Sequence, residues 1–231
     1  AAALARDCAA EIDAEGGIQT RNPEELLEVF TLLTWAAQAL AEAGPGGTPA
    51  HLAAIERIAP ALRALRHADG GLARFHGGGR GLAGRLDLAL ANAGVKALAH
   101  PGLTMGFARL SGGRTSVVVD AADPPGGRAG RLAHASTLAF ELTSGRRPVV
   151  VNCGSGTPFG PAWQRASRAT ASHSTLAIEG FSSSRFGARS NEALVDSAHV
   201  VLVRQAVGEA GHHLVLAQDG WSATHGLTHS R

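Results

Sequence analysis

Two histidines stand in near-identical settings, His134 in AHASTLAF and His173 in ASHSTLAI, each beside a β-rich run. Between them, RPVVVNCGSGTPFG carries Asn152 at the end of another strong β-run. Two imidazoles and one oxygen donor form a set that zinc accepts, although it takes a carboxylate more readily than an amide. The same imidazoles could instead move protons near neutral pH, or serve only as polar residues at strand ends. Residue types and spacing leave these three roles open.

Other motifs carry less. FHGGGRGLAG holds Gly79, Gly81 and Gly84 in the spacing G-x-G-x-x-G. A dinucleotide site would need a preceding buried strand, a βαβ unit and a later acid, so the run reads as a flexible turn. Ser155, between two glycines in NCGSGTPFG, lacks the spacing and the following helix of a nucleophile elbow. Cys8 and Cys153 are the only cysteines, too few for a disulfide framework or a four-thiolate zinc site.

The elements that must position these residues fall into two kinds. Up to about residue 66 the periodicity is helical. In NPEELLEVFTLLTWAAQAL, Leu26, Leu27, Phe30, Leu33 and Ala37 share a face. Asn22 as N-cap, Pro23 at the first helical position and two acids in the first turn mark the start. GPGGTP (44–49) breaks this helix, and a second follows from His51 to about His67. The pair reads as an antiparallel helical hairpin. After Asp69-Gly70-Gly71 the pattern changes. Thr115–Ala121, STLAFEL, Arg147–Cys153, Ser174–Gly180, His199–Gln205 and HHLVLAQDGW are short β-runs separated by Gly, Pro and Ser. Strands at this spacing without helices between them predict an antiparallel sheet or sandwich. Arg85 to about Val95 reads as a last helix before the strands.

The 231 residues suffice for a substantial apolar core, and the net charge of +2 is mild. It suits an acidic ligand without demanding one and gives no nucleic-acid footprint. Lys96 is the only lysine, and there is no tyrosine. No apolar run reaches the roughly 18 residues of a membrane span. A first residue of Ala and a polar end in THGLTHSR read as a piece of a longer chain.

The order of six segments resembles the heparinase II/III-like polysaccharide lyases: DAEGGIQTRNPEELLEVF, DGGLARFHGG, HASTLAFEL, VVVNCGSG, RATASHSTL and QDGWSATHGLTHSR. The resemblance implies an α+β fold, the C-terminal end of an (α/α) toroid followed by an antiparallel β-sandwich. Residues 1–68 would close the toroid, 69–100 would connect, and 101–231 would form the sandwich, incomplete at its C-terminal end. It also implies β-elimination on uronic-acid polysaccharides, an acidic polysaccharide as partner, and a periplasmic or cell-envelope location. In that reaction the sugar carboxylate is neutralised, a Tyr or His takes the C5 proton, and a Tyr commonly protonates the leaving oxygen.

Carried over residue by residue, the resemblance gives a divergent site. The family's loop reads His-Gly-His-Ala-Asp, where this chain has Leu132-Ala133-His134-Ala135-Ser136. Leu132 takes the place of the catalytic histidine, and His134 keeps a metal-ligand position. The family's aspartate becomes Asn152, and His173 is retained in Arg-x-Thr-x-x-His together with Arg168 and Thr170. The implied ligands of a structural zinc are His134, Asn152 and His173, with Arg168 as a substrate-binding residue. Where the family often has Ser-Pro-x-Tyr, this chain has Asn22-Pro23-Glu24-Glu25, which leaves Glu25 as a substitute base. The catalytic residues are therefore unassigned. Three functions follow: a lyase with a divergent acid–base set, a non-catalytic carbohydrate-binding or envelope protein that keeps the fold, or a structural portion whose site residues lie elsewhere.

Overall fold

A computed structural model describes residues 2–98, 102–187, 193–208 and 211–231. Helices come first: α1 (Ala2–Glu11), α2 (Pro23–Glu42), α3 (Pro49–Ala64) and, after a long loop, α4 (Arg85–Ala93). The expected start of α2 is present. The Asn22 side chain accepts from the backbone N–H groups of Glu24 and Glu25, and Pro23 fills the first helical position. Thr48 caps α3 through His51 N–H, so that helix begins two residues before the expected His51 and stops at Ala64.

Five strands follow as an antiparallel meander: β1 (Leu103–Thr104), β2 (Phe107–Gly112), β3 (Thr115–Asp120), β4 (Phe140–Ser144) and β5 (Arg147–Val150). Helix α5 (Pro161–Arg168) and a small β6 (Arg185–Phe186)–β7 (Leu194–Asp196) pair lead to a second sheet. It consists of β8 (Val200–Gly208), β9 (Gly211–Trp221) and, after the one-turn α6 (Ser222–His225), β10 (Leu227–Ser230). The helical first part, the Arg85 helix and the antiparallel strands agree with the sequence reading. The run Ser174–Gly180 does not form a strand; only an isolated bridge between Ile178 and Phe181 is present. Side chains have claimed its start: Ser174 N–H donates to Asn152 Oδ1, and Ser174 Oγ donates to the Phe140 carbonyl.

The period of two along the strands decides what each face of the meander meets. Facing β9, Ala108, Val119 and Leu138 pack with Leu216, and Phe140 and Leu110 lie against that cluster. Facing the helices, Phe107 and Val118 enter a core built from Leu26, Phe30, Ile58 and Leu62. That helix-facing side is also polar, and its groups are satisfied across the junction. Arg109 donates to the carbonyls of Ala64 and Arg66, at 3.0 and 2.8 Å, beside the end of α3. Glu141 takes His67 at 2.8 Å and Arg74 at 3.3 Å, and Asp120 takes Arg21 at 2.5 Å. Helices and meander therefore share one core, with directional bonds that fix how they meet.

Candidate functional site

The loop between β3 and β4 carries His134, which is 2% exposed. A short 3-10 turn (Ala129–Leu132) turns the chain inward just before it, and three further contacts hold it. His134 N–H donates to His76 Nδ1 at 3.2 Å, and Ala135 N–H donates to the Arg168 carbonyl at 2.8 Å. Arg168 Nε in turn donates to the Ala133 carbonyl at 2.8 Å. Arg168 is itself buried, at the end of α5, with its guanidinium over the Phe186 ring. Its side chain acts on the protein interior and braces the loop.

His134 and His173, which the family resemblance placed in one ligand set, lie side by side. His134 Nδ1 and His173 Nε2 lie 3.2 Å apart, with ring planes 21° from parallel. Burial pushes both rings toward the neutral form. His134 falls well below the usual histidine range, helped by the positive fields of His173 and Arg168, and His173 is pushed down to about 4. Asn152 is buried two residues after the end of β5, with its N–H donating to Glu141 Oε1 at 2.9 Å. Its Oδ1 accepts from Ser174 N–H at 3.1 Å and lies 3.2 Å from Ser174 Oγ, which ties it to the residue after His173. Its Nδ2 is buried without a hydrogen-bond partner.

The sequence reading missed His76, Asp120 and Glu141. His76 is buried at φ +46, a left-handed backbone that a histidine rarely adopts. Because its Nδ1 accepts from His134, its proton sits on Nε2, facing Asp120 Oδ2 at 3.5 Å, which is long for a hydrogen bond. Burial, with Arg21 and the other two histidines nearby, holds His76 neutral. Asp120 is wholly buried; its other partners are Arg21 and Ser136 Oγ, at 2.5 and 2.7 Å. Burial raises its carboxyl against the opposing pull of Arg21. Arg21 also reaches the carbonyls of Met105, Gly106, Ala122 and Asp123. A continuous buried polar chain thus runs Arg21–Asp120–His76–His134–His173. An acid inside an apolar β-run, as in VVVD and LAFEL, was the available signal for Asp120 and Glu141.

Leu132 occupies the outer end of this loop and is 43% exposed. A β-carbon placed on Gly77 would meet Leu132 Cβ at 3.5 Å, so the leucine stands directly over the FHGGG turn. Exposed Arg128 and Arg131 flank it. Across the turn, Glu24 Oε2 accepts from Gly79 N–H at 2.6 Å, whereas Glu25 is an exposed first-turn acid whose backbone binds the Asn22 cap. Of the two acids, Glu24 is therefore the one joined to the site.

Two donors on a tetrahedral zinc with bonds of ~2.0–2.1 Å lie ~3.3 Å apart. The 3.2 Å between the histidines suits an ion as well as it suits a direct hydrogen bond. The rest of the set does not fit. Asn152 Oδ1 already accepts Ser174 N–H, and the amide brings no charge. The buried carboxylates Asp120 and Glu141 are engaged by Arg21 and by His67 and Arg74. Among the described residues, no three His, Cys, Asp or Glu side chains are grouped to hold a metal.

Comparison with known proteins agrees with this architecture. A family model described as heparinase II/III-like, C-terminal, matches residues 95–231. FtsZ-localized protein C from Caulobacter vibrioides is 32% identical over 224 residues, covering 94% of this chain and 38% of that protein. The heparinase III BT4657 gene product, with methylated lysines, superposes with a TM-score of 0.70 at 18% identity, over 100% of this chain and 38% of that one. Heparan sulfate lyase HepC from Pedobacter heparinus gives 0.64 at 15% identity, over 94% of this chain and 36% of that one. At such identities the structures speak for the fold alone. This chain spans little more than a third of the length of each of these relatives.

Proposed function

This chain belongs to the heparinase II/III-like family, and from that premise we propose that it is a non-catalytic member, a binding module that keeps the lyase fold. The observation that carries this reading is Leu132. A hydrocarbon side chain stands exposed over the glycine turn at the position that the family resemblance gives to the proton-abstracting histidine. β-Elimination needs a group that can take the C5 proton and one that can protonate the leaving oxygen. The chain has no tyrosine, and His134 and His173 are 2% and 8% exposed, bonded to each other. Arg168, the expected substrate contact, is turned into the fold.

The ligand of this reading is an acidic polysaccharide of the cell envelope, met at the Leu132 face where Arg128 and Arg131 are exposed. No helix among the described residues is long and apolar enough to cross a membrane. A second reading is favoured by the 32% identity to a protein named for its localisation with FtsZ: the same face docks a component of the division machinery.

The experiment has three arms on the full-length protein. Heparan sulfate and alginate are offered with absorbance read at the unsaturated-uronate band, glycan binding is measured by calorimetry, and co-sedimentation with FtsZ polymers is assayed. Binding of either ligand without unsaturated product supports the module. Unsaturated product that persists above background overturns it. Glycan binding and co-sedimentation separate the two readings of its ligand.

A further inference from the structure

The buried histidine pair has an unexpected state. We propose that His134 and His173 are joined directly, through one proton shared between Nδ1 and Nε2, and that Asn152 is the residue that keeps zinc out.

Three observations carry this. The first is the pair itself, 3.2 Å apart with no acid between the two nitrogens. Two neutral imidazoles satisfy one another when one donates and the other accepts. The second is the Asn152 amide. Its Oδ1 accepts Ser174 N–H, and Nδ2 is a buried donor without a partner, which no cation accepts. The third is charge. A divalent ion between two imidazoles and an amide would keep its full charge in a buried place, and burying a charge without a counter-charge is costly. The positive field of Arg168 already acts on His134 and adds repulsion. Asp120 and Glu141 cannot compensate, because each already balances an arginine.

Asn152 is thus a switch of one atom. Asn152→Asp exchanges an amide nitrogen for a carboxylate oxygen at constant shape. It supplies the carboxylate that zinc prefers and a compensating charge, while the second oxygen keeps its bond to Ser174 N–H.

The test uses the whole chain purified without chelator. Wild type should carry less than a tenth of an equivalent of zinc by elemental analysis and take none from a fluorescent chelator. Asn152→Asp should take about one equivalent, and Asn152→Asp/His173→Ala should lose it. In wild type, nitrogen-15 spectra should show a scalar coupling between His134 Nδ1 and His173 Nε2, the signature of a direct hydrogen bond. This readout stands even if the Asn152→Asp chain does not fold. Stoichiometric zinc in wild type that disappears in His134→Ala would overturn the proposal, as would absence of the coupling. A folded Asn152→Asp chain that takes no zinc removes Asn152 from the role assigned to it.

Discussion

His76 Nδ1 accepts the backbone N–H of His134, 58 residues further along, while the His76 backbone sits at φ +46. Left-handed backbone at a non-glycine residue costs of order 1–3 kcal/mol and persists where the surroundings over-determine it. Here the ring is held between Phe107, Asp120 and the His134 loop.

His76→Ala should therefore destabilise the chain by about 2–4 kcal/mol, since it empties a buried site and orphans the His134 N–H. His76→Asn should cost less, because asparagine tolerates the left-handed region and brings an acceptor. Urea unfolding with an unchanged m-value checks the ranking; equal losses would show that neither backbone nor acceptor matters.

The Arg21–Asp120 pair predicts a different pattern. Asp120→Ala leaves a buried guanidinium without its counter-charge and should cost about 3–5 kcal/mol. Replacing both partners by hydrocarbon, as in Arg21→Met/Asp120→Leu, should recover more than half of that loss. A double mutant as unstable as the sum of the singles would refute the ion-pair account.

Acid sensitivity follows from the three buried histidines. His76, His134 and His173 are all held below the ordinary value of 6.5, largely by burial. The unfolded chain takes up their protons as pH falls through about 6.5, while the folded chain resists to about 4 at His173. Stability should thus be fully present above pH ~7 and should decline between pH ~6.5 and ~4, by up to about 1.4 kcal/mol per pH unit for each group. His199, raised by exposed Asp123, acts in the opposite direction but is screened at the surface. Thermal melts at pH 7.5, 6, 5 and 4.5 measure this, and replacing His173 by Gln should flatten the curve.

Leu132→His tests the lost base. The position is exposed, so stability should change by no more than about 0.5 kcal/mol. These 231 residues should form no unsaturated product from heparan sulfate, because they hold no tyrosine to protonate the leaving oxygen. Product from this single change would show the remaining site to be competent.

Much of this architecture was legible in the residues. Asn22-Pro23 and the Leu26–Leu33 face announced α2 because capping and amphipathic burial are local. The like settings of His134 and His173 left their role open, and it was the family resemblance that set the two histidines side by side. His76 was hidden in FHGGG, where three glycines argue for a loose turn. The turn is instead packed: a β-carbon on Gly78 would strike Asn22 Oδ1 at 2.3 Å. The family resemblance gave Arg168 to the substrate, and only the tertiary fold shows it bracing the Ala133 carbonyl. Ser174–Gly180 alternated like a strand, but hydrogen bonds from Ser174 to residues distant in sequence outweighed that local preference.

The bonds across the junction also govern how the chain can be divided. A cut between residues 68 and 93 separates Arg21 from Asp120 and His67 from Glu141, and it parts Leu26 and Ile58 from Phe107 and Val118. Each piece loses part of the surface against which it packs. Expressed separately, the two should be unstructured, and on mixing they should reassemble at equal stoichiometry, each acting as the template on which the other acquires its structure.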